Sequence, residues 1–235
     1  MPKTDSRSGA PKAVSLIASA LALGVGASAL AGDVRGKMDV RGKLEDPGNG
    51  DPAAPLAPYW EEWNGFLEPE EADPTPDRVL AVVLLGEGPP EPSGCEYTLQ
   101  GGDLTPTTLV AKQGTTLRIE NTDPMAHELH ANDLDGFSPL QTAPGNARTV
   151  PLEQAGHFVV RDRLYPHVVG HLHVVDALVA CAEIDSRGRF RFEDVPKGSY
   201  TLKIFRGEEE VASESVEVGG RSTRIDPITL PAGDR

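Results

Sequence analysis

The chain is short of positive charge, of cysteine and of the motifs that mark enzymes. It has 22 Lys and Arg residues against 36 Asp and Glu residues, which gives a formal net charge of −14 at pH 7. A protein with this negative charge is repelled by nucleic acid and by anionic membrane surfaces, and neither is therefore expected as a partner. The acidic excess also keeps a protein soluble, which is its simplest interpretation.

The sequence contains no G-x-S-x-G nucleophile elbow, no H-E-x-x-H helix and no Gly-rich phosphate loop after a strand. No amphipathic helix of ordinary length is predicted beyond residue 31. These absences remove the common signatures of nucleophilic, zinc-dependent and phosphate-binding enzymes. We therefore expect a protein that is not an enzyme.

Residues 1–31 have the composition of a cleaved secretory signal. The basic start is formed by Lys3, Arg7 and Lys12. The uncharged run from Leu16 to Leu30 is short for a membrane span, and it ends in the small residues that signal peptidase requires. We expect a periplasmic or secreted protein without a transmembrane segment after cleavage. The alternative is an internal buried helix.

Two cysteines are present, Cys95 and Cys181. In an oxidising compartment an even number favours one disulfide, whose loop would enclose every histidine of the chain. Such a bond would staple the first domain to the start of the second. Two buried free thiols are the alternative, because the sequence gives no Cα distance.

The segment between the signal and residue 78 has two different parts. A tandem hexapeptide, DVRGKM then DVRGKL, covers residues 33–44, and its alternation fits one surface strand. Residues 45–77 hold ten acidic residues and seven prolines but no Lys or Arg. This acidic Pro-rich insertion cannot build a core of its own.

Within the insertion, aromatic residues are spaced for one face of a short helix. They are Tyr59, Trp60, Trp63 and Phe66. The helix either folds back onto the rest of the chain or is an exposed anchor. Because clustered aromatics often carry interface energy, these residues are the partner-binding site that we predict.

From Arg78 onward the pattern predicts an all-β fold. A continuous apolar run at Val79–Leu85 fits a central strand, and short strands follow that are bounded by Gly, Pro or Asn. Strands at this spacing predict a β-sandwich. Residues 177–235 form a second, smaller unit, in which Ser199–Phe205 alternates Tyr200, Leu202 and Ile204 inward.

Three stretches of residues 95–131 resemble bacterial plastocyanin-like (cupredoxin) periplasmic proteins. They are Cys95-Glu96-Tyr97, Asn121-Thr122-Asp123-Pro124 and His127-Glu128-Leu129-His130-Ala131. The tail motifs at Asp185–Phe190 and Val195–Leu202 resemble the carboxypeptidase-regulatory or prealbumin-like sandwich that is often fused behind that domain. The resemblance implies a cupredoxin-like Greek-key sandwich over residues 78–176, with residues 32–44 as its N-terminal strand. A small prealbumin-like sandwich over residues 177–235 follows.

The second ligand loop departs from the family pattern. The family has C-x-x-H-P-x-M, whereas this chain has Asp162-Arg163-Leu164-Tyr165-Pro166-His167-Val168. Asp162, Tyr165 and Val168 thus replace the copper thiolate, imidazole and thioether, and His127 alone matches a ligand. Since the Cu–thiolate bond defines a blue-copper centre, the resemblance implies that one-electron transfer has been lost.

Two outcomes are open for these residues. His127, Asp162 and His167, with His130 close in sequence, would make a Cu(II) or Zn(II) site of nitrogen and oxygen ligands. Alternatively, the abandoned site relaxes into a hydrogen-bonded polar cluster. We expect the second outcome, and hence no cofactor.

The other histidines lie on predicted strands. His171 and His173 alternate and therefore point to one face as a separate pair. His157, at the start of a strand, is expected to be structural.

Taken together, the sequence predicts an exported, non-catalytic structural or interaction module on a degenerate cupredoxin fold. Its partner would be an envelope or extracellular protein or a polysaccharide. The alternative is a copper- or zinc-handling protein with a remodelled site around His127. A carbohydrate-binding module is a weaker alternative, because the tail aromatics mostly alternate inward and fold alone does not give function.

Overall fold

The computed structural model describes residues 31–42, 44, 46–47 and 74–231. Over these residues the chain folds into β-strands with one short helix, which confirms the all-β sandwich prediction. The predicted signal, residues 1–31, lies almost wholly outside the described residues. So do the predicted partner-binding residues Tyr59, Trp60, Trp63 and Phe66. Within the described part, no helix has the length and apolarity to cross a membrane.

The elements follow one another along the chain at short spacing. The first ten strands and the helix are β1 (Ala31–Val40), α1 (Pro76–Val79), β2 (Leu80–Leu85), β3 (Tyr97–Leu99), β4 (Leu104–Thr105), β5 (Thr108–Lys112), β6 (Thr116–Asn121), β7 (Leu129–His130), β8 (Ala147–Pro151), β9 (Gly156–Asp162) and β10 (Val169–Val175). The later strands are β11 (Leu178–Cys181), β12 (Glu183–Ile184), β13 (Arg189–Pro196), β14 (Gly198–Arg206), β15 (Glu209–Val218), β16 (Thr223–Arg224) and β17 (Ile228–Leu230).

Strands β3–β10 form the first sandwich. One sheet has the order β4-β3-β6-β8 and the other the order β5-β10-β9-β7. Alternation places Leu117 and Ile119 of β6 inward, where they share one core with Phe158 of β9 and Leu172 of β10. Burying each such side chain contributes about 1.5–3 kcal/mol, so this core holds the two sheets together.

The second sandwich is built from β1, β2 and β11–β17. Its sheets have the orders β12-β13-β1-β16, with β17 also on β1, and β11-β2-β14-β15. Tyr200, Leu202 and Ile204 point into its core, as their alternation predicts. They pack there with Val34 of β1 and Phe192 of β13.

The strand pairing differs from the expected domain order. We expected residues 32–44 to start the first sandwich, but β1 pairs with β13, β16 and β17 of the second. The apolar strand β2 is central, as predicted, yet it lies between β11 and β14. Local alternation predicts that a segment is a strand but not which distant strand it joins. Because β2 and β11 are neighbours, the first sandwich is an insertion between two strands of the second.

The two sandwiches meet through an apolar cluster and a disulfide. Val110 of β5 packs there with Val83 of β2, Leu178 of β11 and Phe205 of β14. Cys95 and Cys181 are bonded beside this cluster, with their Cα atoms 5.1 Å apart. The predicted disulfide is therefore present, and it joins the insertion to the strand that follows it.

Candidate functional site

The loop after β6 is fixed by Asn121, a fully buried residue at the end of that strand. Its side-chain amide donates to the carbonyl oxygens of Met125, at 2.7 Å, and Thr142, at 2.9 Å. Its Oδ1 accepts the backbone N–H of Asp123. His127 and Thr142 exchange two backbone hydrogen bonds. These bonds define where Asp123 and His127 enter the sandwich.

The centre of the site is His127, whose solvent-exposed fraction is 0%. Its Nδ1 lies 2.6 Å from Oδ2 of Asp162, and its Nε2 lies 3.1 Å from Oδ2 of Asp123. Carboxylates accept hydrogen bonds, so a ring bonded to both donates from both nitrogens and is an imidazolium. We call Asp123, His127 and Asp162 the end cluster.

Backbone amides complete the hydrogen bonding of Asp162. Its Oδ1 accepts from the N–H groups of Leu164 at 2.7 Å, Tyr165 at 3.2 Å and Glu128 at 3.3 Å. The carboxylate thus folds the start of its own loop and also holds the segment next to His127. Such charge-assisted bonds are stronger than those between neutral groups.

Asp123 is held in the same way from the other side. Its Oδ1 accepts the N–H of Gly101 at 2.5 Å, and its Oδ2 accepts that of Gly102 at 2.9 Å. Both carboxylates of the end cluster are therefore saturated by the ring and by the backbone. Sequence reasoning placed Asp123 in a motif but not in the site, and its position four residues before His127 was the available signal.

The charges in the end cluster stabilise one another. Burial opposes the charged form of His127, but the hydrogen bonds and charges of Asp123 and Asp162 outweigh it and raise the pKa of the ring. Burial likewise opposes the charged form of Asp123, yet the bonds from His127, Gly102 and Gly101 lower the pKa of that carboxyl. The favoured state is one imidazolium between two carboxylates.

A third carboxyl group lies nearby without joining the cluster. Burial, together with the negative charges of Asp46 and Asp123, raises the pKa of Asp103 to about 7. Its Oδ1 accepts the backbone N–H of Leu104, and Arg78 lies 3.4 Å from its Oδ2.

The other predicted ligands are not gathered around His127. His167 bonds through Nε2 to the carbonyl oxygen of Gly102 at 3.1 Å, and burial lowers its pKa. His130 follows the inward-facing Leu129 on β7, and its buried Nδ1 has no hydrogen-bond partner among the described residues. The structure thus joins two of the four predicted ligands, His127 and Asp162. Across the described ranges, no three His, Cys, Asp or Glu side chains form a group that holds a metal.

The residues present do not fit a blue-copper centre. The residue that the resemblance aligns with the thiolate, Asp162, is a carboxylate bonded to His127, and both nitrogens of His127 are engaged. The nearby thioether of Met125 accepts a hydrogen bond from the hydroxyl of Tyr165, and Val168 is fully buried. Among the described residues no free cysteine is present, and neither ring nitrogen of His127 is free to bind a metal.

No protein-family model and no curated protein matches this chain. Among solved structures, amicyanin from Paracoccus versutus is 16% identical, with 36% of this chain and 81% of that chain covered at a TM-score of 0.31. The purple cupredoxin from Nitrosopumilus maritimus is 22% identical, with 35% and 93% covered at 0.27. The copper-containing nitrite reductase from Thermus scotoductus is 18% identical, with 46% and 24% covered at 0.30. These likenesses are weak and partial, and they assign no family.

Proposed function

We propose that this chain is an exported, non-catalytic structural or interaction module that binds an envelope or extracellular partner. In this proposal the first sandwich is a degenerate cupredoxin whose copper centre has been replaced by the end cluster. The observation that carries it is the engagement of both nitrogens of the buried His127 by Asp162 and Asp123.

The protonation state of His127 disfavours metal. A metal binds a lone pair on an imidazole nitrogen, and a ring that donates from both nitrogens has none to offer. Binding at His127 would require the loss of a ring proton and of a charge-assisted hydrogen bond. The raised pKa of this ring makes that loss harder at neutral pH.

The end cluster cross-links separate segments of the chain, as a structural metal ion would. Asp123 and His127 both lie in the loop between β6 and β7, and Asp162 ends β9, so the imidazolium ties that loop to β9. Asp123 in turn binds the backbone of Gly101 and Gly102, after β3. Breaking a buried ion pair by removing one partner destabilises a protein by about 3–5 kcal/mol. The cluster is thus a structural cross-link.

The absence of solvent access to His127 supports a non-catalytic role. A general base must reach the proton that it abstracts, but this ring is fully buried and its carboxylates are saturated. The partner-binding assignment to Tyr59, Trp60, Trp63 and Phe66 stays a prediction, because these residues lie outside the described part.

Metal titration tests this proposal. Cu(II) and Zn(II) are titrated calorimetrically into the exported chain, into His127→Gln and into the matched control His157→Gln, which changes a histidine outside the predicted ligand set. We expect no tight one-to-one binding that depends on His127. Stoichiometric binding that is lost in His127→Gln and kept in His157→Gln would instead establish a metal-handling site of nitrogen and oxygen ligands.

A restoration variant tests the degenerate cupredoxin itself. Asp162→Cys, Tyr165→His and Val168→Met together place the family's ligand types in the second loop. We expect Cu(II) to give an intense thiolate absorption band in the triple variant and none in Tyr165→His with Val168→Met. A folded triple variant without the band would remove the support for a cupredoxin ancestry.

A further inference from the structure

Three of the six histidines lie together outside the end cluster, on the outer face of the sheet that contains β9 and β10. His157 of β9 and His173 of β10 are direct partners in the antiparallel register, and His171 is two residues away on the same face. The ring centroid of His157 lies 5.2 Å from that of His171 and 4.9 Å from that of His173. We call these three residues the histidine junction.

The histidine junction contacts the second sandwich directly. His173 donates from Nε2 to the carbonyl oxygen of Gly207 at 2.7 Å, and its ring stacks on Phe205 with centroids 4.3 Å apart. The backbone N–H of Gly207 in turn donates to Oγ1 of Thr108 on β5. His171 donates from Nε2 to the carbonyl oxygen of Pro47, in the segment after β1. These imidazoles therefore belong to the contact between the two sandwiches.

The hydrogen bonds fix where the protons are. A carbonyl oxygen only accepts, so Nε2 carries the proton in both His171 and His173. The Nδ1 of a neutral His171 is then an acceptor, and it receives the Nε2–H of His157 at 3.0 Å. In this arrangement all three rings are neutral and each makes a hydrogen bond through Nε2.

The pair of His157 and His171 cannot take up a second proton without losing the hydrogen bond between the two rings. His157 can take a proton on Nδ1 and keep its bond to His171. If His171 also takes a proton on Nδ1, two N–H groups face each other across a distance of 3.0 Å. Two like charges then lie side by side at a partly buried contact, where their repulsion is poorly screened.

The surroundings of the histidine junction contain charges of both signs. Glu208, between β14 and β15, favours the charged forms of His157 and His171, and Glu210 favours that of His173. Arg161 of β9 disfavours the charged form of His171. Burial is the largest influence on all three rings.

Burial lowers the pKa of each imidazole of the junction below its ordinary value, and repulsion from neighbouring imidazoles adds to this effect for His157 and His173. The acidic neighbours and the backbone hydrogen bonds offset only a part of this effect.

We propose that the histidine junction is a pH-sensitive joint, which holds the two sandwiches together while its imidazoles are neutral and opens when acidification adds a second proton. The stabilisation from histidines with lowered pKa values is complete above the unfolded value of 6.5 and is lost as the pH falls through the folded values. The disulfide of Cys95 and Cys181 keeps the opened halves linked. Opening is therefore a hinge motion within one chain.

Hydrogen exchange at single amides tests the joint. The N–H of Gly207 donates to Thr108, and the N–H of Thr107 donates to the carbonyl oxygen of Arg78, so both bonds cross between the sandwiches. The N–H of Ala131 bonds to Phe137 inside the first sandwich and is the internal control. Exchange is measured by NMR on the full chain at pH 7.5 and pH 5.0 and is corrected for the intrinsic rate at each pH.

Below pH 6.5 we expect the hydrogen bonds of the Gly207 and Thr107 amides to open more often, by at most about tenfold per pH unit for each proton taken up, while Ala131 stays protected. His157→Gln, His171→Gln and His173→Gln combined are expected to abolish the increase, and the control His130→Gln to keep it. If the triple variant does not fold, His157→Gln alone is used, since His157 is exposed and its removal takes away the facing N–H. Equal pH dependence in wild type and variant, or equal loss of protection at Ala131, overturns the proposal.

Discussion

Strand β9 carries a member of the histidine junction and a member of the end cluster. His157 lies near its start on the outer face, and Asp162 lies at its end on the inner face. At the inner end, His127 is fully buried and yet favours the charged form. At the outer end, His157 is exposed and yet favours the neutral form. Burial alone would predict the opposite order. The carboxylates beside His127 reverse this order, because their hydrogen bonds and charges outweigh burial there. No carboxylate is hydrogen-bonded to His157 in the described structure, so burial, together with repulsion from His171, keeps its pKa low.

The difference gives the two clusters opposite responses to pH. The raised pKa of His127 means that its stabilisation is complete below 6.5 and is lost as the pH rises through the folded value. The lowered pKa of Asp123 means that its stabilisation is complete above 3.8 and is lost as the pH falls through the folded value. The histidine junction is lost from the acid side, beginning near 6.5. Both clusters therefore stabilise the fold between the lowered pKa values of the junction histidines and the raised pKa of His127.

The largest effect is expected from His127→Ala, which removes the cation of the end cluster. Two buried carboxylates then face each other without the cation between them, and the free energy of unfolding should fall by about 3–5 kcal/mol. Urea denaturation at pH 7 measures this change. The control His130→Ala, on the adjacent strand β7, should change it by less than about 1 kcal/mol. Equal losses in the two variants would mean that the end cluster is no cross-link.

Removal of the disulfide should weaken the junction and spare the end cluster. In Cys95→Ser with Cys181→Ser, a loop of sequence separation 86 is no longer closed, and the free energy of unfolding should fall by about 2–4 kcal/mol. The amide of Gly207 should exchange faster already at neutral pH, whereas that of Gly102, bonded to Asp123, should not. Equal acceleration of both amides would show that the two clusters form one cooperative unit.

Alkaline pH should weaken the end cluster and leave the histidine junction unchanged. As the pH rises from 7 to 9, the contribution of His127 should decline by at most about 1.4 kcal/mol per pH unit, because one proton is released. His127→Gln should lack this decline. Asp103, whose pKa of about 7 falls near the same range, titrates in both proteins. The difference between the two free energies of unfolding therefore reports the His127 ring alone. A variant with the wild-type slope contradicts the assignment.

The smallest effect is expected from Glu208→Gln. The carboxylate of Glu208 favours the charged forms of His157 and His171, so its removal should lower both pKa values further. NMR titration of the ring protons measures the shift. Glu209, which lies 3.6 Å from Arg206, provides the control Glu209→Gln, for which no shift is expected. A shift of the same size in both variants would show a general effect of charge.

The sequence predicts the fold class because each strand carries its own pattern. Tyr200, Leu202 and Ile204 alternate inward in β14, and the apolar run at Val79–Leu85 includes the central strand β2. The joining of β2 to β11 and β14 has no such local signal, because it depends on chain segments that are far apart in sequence. The insertion of the first sandwich into the second was missed for this reason.

The candidate site was predictable to the extent that it rests on neighbouring positions. The resemblance brought His127 and Asp162 together, and the structure has them in contact. Asp123 lies in a loop without periodicity, so its spacing of four residues from His127 was a weak signal, and its hydrogen bonds reveal it as the third member. Alternation placed His171 and His173 on one face, whereas the arrival of His157 beside them depends on the register of β9 against β10.

The insertion of the first sandwich has a consequence for a chain under tension. The outermost described strands, β1 and β17, pair in parallel in the second sandwich, so a pull applied at the two ends loads that sandwich and bypasses the first. Even after the second sandwich has unravelled, the bond between Cys95 and Cys181 carries the force past the residues that it encloses. At about 3.3–3.6 Å per residue, the enclosed residues hold roughly 300 Å of extended chain, which is not released until that bond is reduced. A protein built this way has an extension limit that is set by the redox state of its surroundings.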